Sequence, residues 1–86
     1  MNMTDTIRTK LTEAFAPVAL EISDDSAAHE GHLGHDHGGE THFTVKIVSP
    51  AFAGLGRVEC QRRVYAVLAA ELKTQIHALQ LDVRAP

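Results

Sequence analysis

Residues 41 to 48, THFTVKIV, alternate strictly: Phe43, Val45 and Ile47 fall on one side, His42, Thr44 and Lys46 on the other. A period of two with one apolar side is the pattern of a β-strand that buries a single face. PVALEIS (17–23) repeats it through Val18, Leu20 and Ile22, and HALQLDV (77–83) through Leu79, Leu81 and Val83. Three one-sided strands need a second layer to cover their apolar faces, and the remaining segments can supply it as helices.

TDTIRTKLTEAF (4–15) places Ile7, Leu11, Ala14 and Phe15 at helical spacing, with Thr4 as the expected cap, Asp5 at the positive helix end and Pro17 as the stop. Ser49–Pro50 opens a short helix that Gly54 and Gly56 end. A longer helix is expected from Arg57 to Lys73, with Val58, Val64, Tyr65, Leu68 and Leu72 on its apolar stripe. Glu59, Arg62, Arg63, Ala66, Ala70 and Lys73 occupy the other side. The order is α-β-β-α-α-β: an α+β, two-layer, KH-like (type II) domain whose three-stranded mixed sheet carries helices on one face. The first two strands are antiparallel, and the helical crossover makes the second and third parallel if they are neighbours.

At 86 residues the chain holds one modest core, so a single domain is expected over 1–86. Eight Lys and Arg against eleven Asp and Glu give a formal charge of −3, which argues against a dedicated nonspecific DNA binder. No apolar run is long enough to span a bilayer, and the N-terminus has no apolar signal region, so a cytoplasmic protein is expected. Cys60 is the lone cysteine, excludes an internal disulfide and reads as a small packing residue. No nucleophile elbow, P-loop or GxGxxG motif occurs, so no enzyme is indicated.

The histidines carry the chemistry. Five of the six, His29, His32, His35, His37 and His42, lie within fourteen positions of a Gly- and Asp-rich loop and its exit; His77 stands apart. Neutral imidazole binds Zn, Cu, Ni and Fe, so a loop of this kind can take up divalent metal by itself. No cysteine accompanies the loop histidines, and their spacing matches no closed zinc site. His32, His35 and His37 read as solvated, and His42 as a surface residue on the open side of the sheet. His77, at the mouth of a strand, reads either as a ligand or as a residue bonded to local backbone. A nucleic-acid reading rests on Arg57, Arg62 and Arg63; against it, Gly54 and Gly56 lack the GXXG spacing of a KH loop, and Glu59 and Glu71 balance the charge.

GETHFTVKIVSPAFAGL (39–55), QRRVYAVLAAEL (61–72) and IHALQLDVRAP (76–86) resemble the BolA family, and the likeness runs from the first helix to Pro86. Its most specific parts are E-T-H-F, the F-x-G at Phe52 to Gly54, the R-x-V-Y at Arg62 to Tyr65, and I-H-A-L. The resemblance implies a KH-like fold without the GXXG loop and a non-enzymatic role in iron and iron–sulfur trafficking. The partner it implies is a monothiol glutaredoxin. In that complex a [2Fe–2S] cluster is held by the glutaredoxin cysteine and glutathione on one side. On the other, this family supplies its C-terminal His, matching His77, and a loop ligand. The histidine subclass carries E-S-x-x-H there; DDSAAH matches it best and selects His29, with His32, His35 and His37 as alternatives. Alone, the chain is expected to be a monomer or a weak homodimer. Some members are ascribed DNA binding, but Cys60, Gln61 and Arg62 stand where the family often has R-H-R, which leaves the helix less basic.

Overall fold

The computed structural model describes residues 2–25 and 41–86. Helix α1 spans Met3–Phe15, strand β1 Ala19–Asp24, strand β2 His42–Val48, helix α2 Arg57–Val67, helix α3 Ala69–Thr74 and strand β3 Ala78–Arg84. The three strands form one sheet in the order β1-β2-β3. β1 runs antiparallel to β2, and β2 parallel to β3, as the alternation and the crossover require. Phe43, Val45 and Ile47 are buried in the core with Ile7 and Leu11 of α1 and Cys60, Val64 and Leu68 of the later helices. Leu20, Ile22, Leu79, Leu81 and Val83 pack against the same core from the outer strands. The result is a three-helix, three-strand α+β fold with a mixed sheet, as expected.

Four local features depart from the sequence reading. The cap of α1 is Asn2, two residues before Thr4: its side chain accepts the Asp5 N–H at 2.8 Å. The expected helix at Pro50 is a single 3-10 turn, Pro50–Phe52, because Gly54 adopts a φ of +78° two residues later and turns the chain away. The long helix breaks at Leu68 (φ −101°, ψ 16°), which separates α2 from α3. The apolar stripe of α2 is Cys60, Val64, Val67 and Leu68, so the helix is rotated by about a quarter turn from the expected orientation. Val58 and Tyr65, placed on that stripe from the sequence, are 65% and 39% exposed.

Ser49 holds the layers together at the end of β2. Fully buried, its hydroxyl donates to the Phe15 carbonyl at 2.6 Å, capping one of the orphan acceptors at the end of α1. The same oxygen accepts the Ala51 N–H at 3.0 Å and so starts the 3-10 turn. Its backbone N–H extends the parallel ladder to the Arg84 carbonyl. Phe15 and Phe52, whose ring centroids are 4.8 Å apart, seal the contact. Ser49→Ala should therefore cost about 1–3 kcal/mol, because it removes two part-buried hydrogen bonds to the backbone, each worth about 0.5–1.5 kcal/mol. Urea unfolding should show the loss as a lower midpoint at unchanged slope.

Candidate metal centre

β2 and β3 start side by side, and both starts carry a histidine. In the parallel register His42 lies opposite Ala78, the residue that follows His77. The Thr41 carbonyl accepts the backbone N–H of His77 at 2.7 Å and of Ala78 at 3.2 Å, which fastens the start of β3 to the start of β2. His77 presents an exposed side chain there. The two rings stand edge to face, centroids 6.3 Å apart and planes at 72°. His42 is half-buried, and its Nδ1 is 2.9 Å from the Thr41 hydroxyl.

This corrects the reading of His42 as a plain surface residue. It does occupy the helix-free side of the sheet, but it is half-buried there, with the His77 ring beside it. The sequence carries part of the signal: one parallel alignment, Phe43-Val45-Ile47 with Leu79-Leu81-Val83, puts the two histidines at one end, but alternation alone does not select that register.

Asp25 braces the same end from β1. Its N–H donates to the His42 carbonyl at 2.7 Å. Its carboxylate accepts the Ser23 hydroxyl at 2.8 Å and the Thr44 hydroxyl at 2.5 Å. The last residues of β1 and the first of β2 are thus joined through one side chain. His29, His32, His35 and His37 lie outside the described residues. Among the described residues no group of three or more His, Cys, Asp or Glu side chains is placed to hold a metal ion; His42 and His77 stand as two neighbouring imidazoles. Imidazole is a ligand type that suits Zn, Cu, Ni or Fe.

The residues of the nucleic-acid reading lie elsewhere. Arg57 lines a cleft of about 440 Å³ with Phe52, Gly54, Leu55 and the end of β3. Arg62 is exposed, while Arg63 is tied to Glu59 at 3.1 Å. Glu71 does not balance these arginines; it is 11% exposed and pairs with Lys10 of α1 at 2.6 Å. Arg84 borders the cleft but is held by both Asp82 oxygens, at 3.0 and 3.1 Å, and that contact raises its pKa above the ordinary value. Cys60 is buried, with its thiol toward the Leu55 carbonyl, and so is a packing residue. No described helix is long and apolar enough to cross a membrane.

The family model for BolA, a BolA-like protein, matches residues 11–86. BolA-like protein 1 of Homo sapiens is 44% identical over 80 residues, covering 93% of this chain and 56% of the human protein. The DNA-binding transcriptional regulator BolA of Escherichia coli K12 is 41% identical over 81 residues, which is 94% of this chain and 73% of that protein. Among solved structures, BolA1 from Arabidopsis thaliana superposes with a TM-score of 0.87 at 40% identity, covering all of this chain and 94% of that one. None of these names denotes an enzyme. With the family match over most of its length and the same fold in a relative, the chain belongs to the BolA family.

Proposed function

We propose that this chain is a non-enzymatic adaptor in iron and iron–sulfur trafficking. It pairs with a monothiol glutaredoxin and contributes imidazoles to a shared [2Fe–2S] cluster. The observation that carries this reading is the exposed His77 at a strand mouth with a second imidazole beside it. At the mouth of β3 the backbone of His77 is held by the hydrogen bond to the Thr41 carbonyl. The cluster is cargo: the glutaredoxin cysteine and glutathione hold one iron, and this chain holds the other. Imidazole in place of thiolate removes negative charge from the cluster and raises its potential, as in Rieske centres. The second ligand that the resemblance selects is His29, with His32, His35 and His37 behind it.

A second reading is favoured by the name of the Escherichia coli relative, a DNA-binding transcriptional regulator. Here it would use Arg57, beside the cleft at the end of β3, and the exposed Arg62, since Arg63 is already committed to Glu59. The net charge of −3 weighs against it.

Titrating a glutaredoxin-bound [2Fe–2S] cluster with this protein should give a new visible absorption and circular dichroism spectrum that saturates at one to one. His77→Ala should abolish the new spectrum and leave the far-ultraviolet signal of the fold unchanged; an unaltered cluster spectrum in that variant would refute the ligand assignment. For the second reading, duplex binding should weaken steeply with added salt and fall further in the doubly substituted Arg57→Ala, Arg62→Ala protein. No binding at low salt disposes of that reading.

A further inference from the structure

We propose that the outer edge of β1 is a self-association surface. A second copy of this chain docks its own β1 there, antiparallel, about a two-fold axis at Ile22. This surface is independent of the adaptor reading and goes beyond it.

β1 is an outer strand, bonded to β2 along one side only. The Asp25 N–H meets the His42 carbonyl across that pair, so by antiparallel alternation Ala19, Glu21 and Ser23 also aim their main-chain groups at β2. Those of Leu20, Ile22 and Asp24 point the other way. Among the described residues no strand lies on that side, and a hollow of about 640 Å³ opens beside Arg8, Leu20, Glu21, Ile22 and Lys46. Such an edge is a template for another strand unless something blunts it. Ala19–Asp24 contains no proline, and Leu20 and Ile22 are only half-buried.

The occupant follows from self-complementarity, which a two-fold contact demands. The ion pairs among the described residues engage none of Arg8, Glu21 and Lys46, the charges that border the hollow. Arg8 belongs to α1, on the side of the sheet that bears Leu20, Ile22 and, by alternation, Asp24. With Ile22 opposite its symmetry mate, Leu20 of one copy stands opposite Asp24 of the other. Each Arg8 then shares a face with an acidic residue across the axis, while Glu21 falls opposite Ser23. The neighbouring registers are worse. Leu20 opposite Ile22 would set Glu21 directly against Glu21. Leu20 opposite Leu20 would need the Val18 N–H, which already donates to the Val48 carbonyl at 2.8 Å. With six residues a side, the contact belongs to the small, transient interfaces below about 1,200 Å². Antiparallel docking sends the His42 and His77 rings of the two copies to opposite sides of the axis, so the dimer carries two separate imidazole pairs.

Sedimentation equilibrium of the free protein, taken up to about 1 mM, should show a monomer–dimer equilibrium. Over the same range 15N-correlation spectra should move the Leu20 and Ile22 amides and leave those of β3 in place; this measurement needs no substitution. Arg8→Glu should weaken the dimer by about tenfold, because it turns both cross-axis attractions into repulsions. Mild oxidation of Ile22→Cys should give a linked dimer, since opposed Cα atoms stand about 5.5 Å apart. Leu20→Cys, whose mate lies more than about 12 Å away in this register, should stay unlinked. The native Cys60 is buried and does not compete. A protein that stays monomeric at about 1 mM overturns the proposal, and so do concentration shifts confined to residues outside β1. Linkage through Leu20→Cys in place of Ile22→Cys overturns the pairing about Ile22, and an Arg8→Glu dimer of parent strength overturns the part given to Arg8.

Discussion

The parallel pairing of β2 with β3 is the constraint on which the rest of the molecule depends. β2 is the central strand, bonded on both sides, and it supplies the most deeply buried residues of the sheet: Phe43, Val45 and Ile47. A parallel neighbour cannot be reached by a tight turn. The chain must leave β2, cross over the apolar face as helices and return, and that crossover is what covers the core. Ser49 secures the departure, and the Thr41 carbonyl secures the return. Between these two points seven residue pairs run in register from His42–Ala78 to Val48–Arg84. The first of those pairs is also where the chemistry gathers.

The candidate centre follows from this geometry more than from the abundance of histidine. Parallel strands that begin together put their first residues at one end of the sheet, and here an imidazole stands at the start of each. Backbone hydrogen bonds hold the spacing, so the site inherits the rigidity of the sheet. The polar groups around it, Asp25, Thr44, Thr41 and Ser23, pair with one another, with the His42 ring or with backbone. They brace the strand ends, while the His77 ring is exposed. Arg57 of α2 lies near the opposite end of β3, beside Asp82 and Arg84, so the two functional readings use different parts of the surface.

Alternation along three segments and a 3.6-residue period in α1 are sufficient to state which faces are buried, the order of the elements and the direction of each strand pair. These are local properties: each depends on side chains a few residues apart, and solvent exclusion acts on them wherever the segment packs. A pairing of His77 with some loop histidine is legible only through the likeness to a family. Cys60 is legible as a packing residue because a small apolar side chain at the edge of a stripe has little else to do. The capping by Asn2 is not legible, because Thr4 is a comparable cap by type, and only the backbone shows which residue the Asp5 N–H meets.

What the tertiary structure alone decided is register and rotation. A two-residue slip of β3 along β2 would keep every apolar residue on its face, so alternation cannot choose among such registers; packing across the whole core chose the one that sets His42 beside His77. Likewise the composition of Arg57–Thr74 is compatible with more than one apolar stripe. The observed rotation buries Cys60, Val64 and Leu68, exposes Val58 and Tyr65, and breaks the helix at Leu68, with Glu71 beyond the break paired to Lys10. The physical reason is the same in both cases. Sequence periodicity specifies a face but not a partner, and the partner is selected only when all the faces must close around one core.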